Sequence, residues 1–238
     1  MTAQAPIRIY ELAGADPEVR FSPHCWKARM ALAHKGLEAE GIPWRFTEKA
    51  EIAFSGQGLV PVMVDRGDVV FDSWRIAEYL EAHYPERPSL FGGEMGRAMS
   101  RFINGWADTT VMPAIARIIV LDIHDRVHEK DRDYFRASRE KRFGMALEEV
   151  VADREKRLAD LCQALTPLRH MLQHQPFICG DAPAYADYCA FGMFMWIRCI
   201  SPVEALEPSD AVHAWRERLL DAFGGFARRA RTTGPRGN

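Results

Sequence analysis

Short alternating and continuous apolar runs dominate the first third of the chain, and helical periodicity replaces them afterwards. Ile7-Arg8-Ile9-Tyr10 alternates like a strand, and Ile42-Pro43-Trp44-Arg45-Phe46 predicts a second one. Val60-Pro61-Val62-Met63-Val64 and Val69-Val70-Phe71 predict a hairpin across Asp65-Arg66-Gly67-Asp68. Between the first two strands, Ser22 and Pro23 make an N-cap with proline at the first helical position. Cys25, Ala28 and Leu32 share one side of the helix they open, and Gly36 stops it. Asp72-Ser73 caps another helix bearing apolar Trp74, Ala77 and Leu80.

Tyr84 to Gly93 is dense in proline and glycine and reads as a linker. Beyond it the pattern is helical throughout. One apolar series runs Phe102, Trp106, Thr109, Pro113, and a second runs Met145, Leu147, Val151, Leu158, Leu161, Leu165, Leu168. A third, Ala186 through Phe191, Phe194 and Trp196, is apolar nearly all round and predicts a buried helix. Gly180 to Asp187 should open that helix, but Ala184 cannot cap it; Asp187, or Asp181 one position earlier, is left to bond the free N–H groups. Arg228 to Asn238, basic and rich in Gly and Pro, reads as a frayed tail.

A length of 238 residues with 47% hydrophobic content supports one large or two small cores. The net charge of −2 offers nothing to nucleic acid or an acidic membrane surface. No apolar run approaches the ~20 residues of a spanning helix, and Met1 to Pro6 lacks a signal-peptide pattern, so the cytoplasm is the expected location. The five cysteines form no CxxC pair; Cys162, Cys179, Cys189 and Cys199 read as small buried hydrophobes. His124 and His128, like His170 and His174, have metal-ligand spacing, but no third ligand accompanies them, so no metal is expected. There is no GxGxxG after a strand, no phosphate loop and no serine nucleophile elbow. Asp181, Asp187, Glu148 and Glu149 define no acid–base dyad by sequence.

Three weak signals remain. Ser22 reads first as a plain cap, and only second as a hydroxyl beside unpaired N–H groups, where an anion such as a thiolate would sit. Pro61 at the head of a strand reads as an edge proline or as a cis bend that frees the Val60 backbone to pair with an extended peptide. Asp72-Ser73 reads as a cap or as a helix start that holds a carboxylate. Together, in this order, they describe a γ-glutamyl-cysteinyl peptide as ligand.

The order β-α-β, then β-β-α, followed by helices only, resembles the glutathione S-transferases over nearly the whole chain. The resemblance implies an α/β thioredoxin-like domain at 1–84, a linker at 85–95 and an all-α domain at 96–238 that supplies an acceptor pocket. Phe21 to Gly36, Val60-Pro61-Val62, Asp72 to Leu80 and Asp131-Arg132-Asp133-Tyr134 are similar to the bacterial β-etherases and their fungal relatives. That branch uses glutathione to cleave β-aryl ethers of lignin-derived ketones. By the same resemblance Ser22 faces the glutathione sulfur, Pro61 is the cis-proline, Val60 pairs with the cysteinyl unit, and Asp72 and Ser73 hold the γ-glutamyl end. Lys49 and Gln57 are candidates for the glycine carboxylate, and His24, Trp106 and Trp196 for the acceptor pocket. With serine in place of the first cysteine of a Cys-x-x-Cys motif, dithiol exchange is unavailable, so a transferase is expected and not a reductase. The implied partners are glutathione, a small hydrophobic aromatic electrophile and a second copy of the chain. A detoxifying transferase of broad range and a non-catalytic carrier of aromatic ligands are the alternatives.

Overall fold

The computed structural model describes residues 6–233. Four strands, β1 (Ile7–Leu12), β2 (Ala39–Trp44), β3 (Val62–Asp65) and β4 (Asp68–Phe71), form one sheet in the order β2-β1-β3-β4. β1 and β2 are parallel, so α1 (Pro23–His34) crosses between them; the other pairings are antiparallel. The β3–β4 turn uses Arg66 and Gly67 at φ 54° and 94°, the left-handed pair that matches strand twist in a two-residue hairpin. α2 (Ser73–His83) follows β4.

β2 lies earlier than its apolar pattern suggests. Phe46 and Thr47 donate their N–H groups to the Asp131 carboxylate at 2.9 and 3.1 Å, which pulls the backbone out of the ladder after Trp44. Pro43 is tolerated because β2 is an edge strand. α1 carries the expected Cys25, Ala28 and Leu32 inside, but Trp26, Lys27, Met30 and Ala31 are buried too, since the helix packs on both α2 and α9 (Tyr185–Ile200).

The rest of the chain is helical: α3 (Glu94–Trp106), α4 (Met112–Arg126), α5 (Glu129–Phe143), α6 (Leu147–Val150), α7 (Arg154–Ala164), α8 (Thr166–Leu172), α9, and α10 (Ala211–Gly225). α3 opens at Glu94, inside the stretch assigned to the linker, and a wide turn over 107–111 joins it to α4. Its inner face differs by one residue from the expected series. Ser100, Ile103, Ala107 and Val111 are buried, because the close approach to α9 admits small side chains, while Phe102 is 71% exposed. Thr109 is exposed and its hydroxyl donates to Gly105 O, and Met145 is also largely exposed. Of the later cysteines, Cys189 and Cys199 are buried, but Cys162 and Cys179 are exposed because they lie on the outer side of α7 and in the loop before α9.

α9 is buried on all sides from Tyr185 to Met195. Ala184 offers no cap; Asp187 replaces it by accepting from Ala184 N (3.0 Å), Ile178 N (2.9 Å) and Trp215 Nε1 (2.8 Å). Asp181 stays exposed outside this arrangement. Gly192 brings α9 against the start of α1: a Cβ there would stand 2.4 Å from the Pro23 carbonyl oxygen. Gly192→Ala is therefore expected to destabilise the fold by about 1–3 kcal/mol, as overpacked cores do, read as a lowered urea midpoint.

The C-terminal stretch does not fray at Arg228. α10 breaks at Ala222–Gly224, and the chain folds back so that Arg228 pairs with Glu217 at 3.0 Å and Thr233 N donates to Cys199 O at 3.1 Å. Residues 234–238 of that tail, and the first five residues weighed as a targeting signal, lie outside the described residues. Among the described residues no helix is long and apolar enough to cross a membrane.

Candidate active site

Ser22 ends the loop after β1 and caps α1, with its Oγ accepting from Cys25 N at 3.3 Å. A hydroxyl has one proton to give besides the lone pairs it offers. The cap uses a lone pair, so the Ser22 O–H remains a donor, within reach of the Cys25 thiol as well as of the cleft. Ser22 is 5% exposed and lines a cleft of about 300 Å³ between the sheet end and the helical part. Cys25, three residues on, is fully buried; burial and the nearby Glu11 push its thiol up to about 12, so it stays protonated and is no nucleophile.

The Val60–Pro61 peptide bond is cis. β3 begins only at Val62, which leaves the Val60 N–H and C=O outside the strand pairing, with Val60 on the cleft wall. Lys49 also lines the cleft. Its ammonium bonds Gly58 O and sits 4.9 Å from the Trp44 ring, and burial and Arg139 lower its pKa. Gln57 does not reach the cleft, because its amide is bound to both the N–H and C=O of Leu59.

His24 and Trp196 line the cleft; Trp106, half-buried at the end of α3, does not. Crowding at the cleft wall, and then the Lys27 ammonium, bring His24 down to about 4 against the opposing pull of Asp108 and Asp72. It is therefore neutral at pH 7. Between pH 6.5 and 4 the unfolded chain takes up a proton there that the folded chain refuses, so stability should fall across that window as pH drops. His24→Asn is expected to flatten that part of the profile, measured by urea unfolding at a series of pH values.

Asp72, at φ 71°, caps α2 by accepting from Trp74 N at 3.0 Å and Arg75 N at 3.2 Å. Ser73 is buried, with its carbonyl accepting from Tyr185 OH at 2.6 Å. Asp72 faces a neighbouring open groove between α2 and α3, lined also by Arg75 and Arg101, and not the 300 Å³ cleft itself. The histidines of metal-like spacing have other roles. His128 caps α5 by accepting from Lys130 N, and His124 sits 3.2 Å from Asp125. Among the described residues no group of three or more metal-ligating side chains forms.

Comparison with known families places residues 21–83 in the glutathione S-transferase N-terminal domain and residues 98–225 in the glutathione S-transferase C-terminal domain. The chain belongs to the glutathione S-transferase family. Glutathione transferase omega-1 of Caenorhabditis elegans is 28% identical over 198 residues, 81% of this chain and 64% of that protein. Maleylacetoacetate isomerase of Pseudomonas aeruginosa is 31% identical over 111 residues, 43% of this chain and 47% of that protein. The chain thus spans less than two thirds of the length of either relative. Among solved structures, a Ceriporiopsis subvermispora glutathione S-transferase in complex with glutathione superposes with a TM-score of 0.79 at 23% identity, covering 92% of this chain and 96% of that one. A Phanerochaete chrysosporium glutathione transferase does so with a TM-score of 0.76 at 26% identity over 95% of each chain.

Within this glutathione S-transferase fold, several residues around the cleft carry no sequence motif. Lys27 is fully buried, and its ammonium donates to Asp108 Oδ1 at 2.6 Å and Asn104 Oδ1 at 2.8 Å, bridging α1 to the last turn of α3 and the wide turn after it. Asp131, fully buried at the start of α5, ties down Phe46 and Thr47 and so fixes the loop that leads to Lys49. Arg139 and Arg142 line the far wall. Only their spacing of three on a helix, which puts them on one face, could have flagged them.

Proposed function

We propose that this glutathione S-transferase binds glutathione and transfers its thiolate to an electrophilic carbon of an aromatic substrate, with Ser22 donating a hydrogen bond to the sulfur. The observation that carries this reading is the place of Ser22 on the cleft wall at the start of α1, where Oγ accepts as a cap and the O–H can turn from the Cys25 thiol to a sulfur in the cleft. The Val60 backbone, outside the ladder beside the cis bond, suits the cysteinyl unit of glutathione. Lys49 offers a cation for the glycine carboxylate, and the α2 start at Asp72 and Ser73 suits the γ-glutamyl end. A free thiol of pKa about 8.5 is only a few per cent thiolate at pH 7. A donor hydroxyl at a helix N-terminus should lower that pKa by ~1–2 units, about 1.4–2.7 kcal/mol.

The reaction we favour is β-aryl ether cleavage next to a ketone. The sulfur forms a bond to the carbon, the C–O bond breaks, and a phenolate leaves with the electron pair. The experiment is retention on glutathione resin together with turnover of a chromogenic aryl ether ketone. Retention with turnover of haloarenes or epoxides alone would favour the detoxifying role, and retention without any turnover would favour carriage. We further propose a homodimer. Met95, Met99 and Phe102, at i, i+4 and i+7 on α3, are 85%, 39% and 71% exposed and make an apolar stripe suited to a second copy. Light scattering of the purified chain at twice the 27.1 kDa chain mass is the expected result.

A further inference from the structure

The charges lining the cleft are all of one sign. Lys49, Arg139 and Arg142 face it, and none of the residues that line it is acidic. Among the described residues no carboxylate pairs with Arg139 or Arg142; Arg139 donates to Ser138 Oγ at 3.0 Å and lies near the Tyr134 phenol. One turn earlier on the same helix the arginine is paired: Arg136 holds Glu140 at 2.8 Å and Glu148 at 2.8 Å. The buried carboxylate of α5, Asp131, is already occupied by the N–H groups of Phe46 and Thr47 and the Thr47 hydroxyl.

Arg139 is also held in place. Its guanidinium lies 4.7 Å from the Phe135 ring and 5.3 Å from the Phe46 ring, both of which line the cleft. Stacked guanidinium is pre-organised, so little side-chain freedom is lost when it meets a carboxylate in two-pronged geometry. Burial and the neighbouring Arg142 lower the Arg139 pKa, as expected for cations crowded together without an anion. The proposed function assigns the two carboxylates of glutathione to the α2 start and to Lys49.

We infer that the acceptor substrate is itself an acid, an aryl electrophile whose carboxylate is held by Arg139 and Arg142 while its ring lies against Phe46, Tyr134 and Phe135. This rests on the proposed glutathione transfer and specifies the second substrate of that site. Tyr134 lines the cleft beside Phe46, with ring centroids 6.3 Å apart.

The test compares a chlorodinitrobenzoate with its neutral benzamide as acceptors for glutathione. In both the thiolate sulfur bonds the ring carbon, the C–Cl bond breaks, and chloride leaves with the electron pair. The expected result is a kcat/KM at least about ten-fold higher for the acid, with the advantage shrinking as salt screens the arginines. Arg139→Gln should collapse the acid-to-amide ratio toward one, Arg139→Lys should restore part of it, and exposed Arg142→Gln should lower it partially. Equal turnover of acid and amide by the unaltered protein would overturn the inference. So would an Arg139→Gln variant that keeps the ratio, whether it raises the KM for glutathione or lowers both rates alike. Glutathione binding with no turnover of either compound would also overturn it while leaving the glutathione site standing. Failure to bind glutathione at all would instead remove the proposed function beneath it.

Discussion

Ser22→Ala is expected to lower kcat/KM about ten-fold or more at pH 7 and to shift the titration of the bound thiol upward, followed by its ultraviolet thiolate absorbance. The size follows from losing ~1–2 units of pKa depression on the sulfur. The same substitution removes the acceptor for Cys25 N, a cap whose loss costs about 0.5–2 kcal/mol. The two effects separate with Ser22→Asp. A carboxylate there keeps a cap acceptor and favours the positive end of α1, so stability should be retained. It offers no proton at neutral pH and repels a thiolate, so turnover should be lost. If Ser22→Ala leaves both the rate and the thiol titration unchanged, serine has no part in activating the sulfur.

The largest stability effect is expected at Asp108. Its carboxylate, in the turn after α3, meets the wholly buried Lys27 ammonium of α1 at 2.6 Å. Removing one partner of a buried pair leaves a charge without compensation, which costs about 3–5 kcal/mol. Asp108 keeps 28% of its side chain exposed, so water screens part of that loss. Asp108→Ala should therefore fall at the lower end, about 3 kcal/mol, with a matching drop in the urea midpoint. Lys27→Met, which removes the buried charge and keeps most of the volume, should cost clearly less. An equal loss from both would mean that packing, and not the unpaired ammonium, sets the cost.

The aromatic pocket shows where sequence reading stops. His24 and Trp196 reach the cleft from α1 and α9, but Trp106 does not, although all three fit a pattern of aromatic and polar residues at helical spacing. Periodicity names the face of a helix without saying which neighbour covers it. On α3 even the face shifts by one residue: the close packing of α9 selects Ser100, Ile103 and Ala107 for the inside and turns Phe102 out. Gln57 fails for a different reason, since a loop side chain that can bond its own backbone at Leu59 has no need of a distant ligand.

Local chemistry needed only the chain. The Ser22–Pro23 helix start, the Arg66–Gly67 turn, the Asp72 cap, and the order of strands and helices depend on residues within a few positions of one another. Backbone sterics and short-range hydrogen bonds specify such features without a distant partner. Tertiary packing decided the rest. It ends β2 at Trp44 by bringing Asp131 from 85 residues away, ties Asp187 to Trp215, buries Lys27 against Asp108, and gathers three cations around one cleft whose lining holds no carboxylate. Each of these brings together groups far apart in sequence, and no local pattern encodes which partner a buried charge will meet.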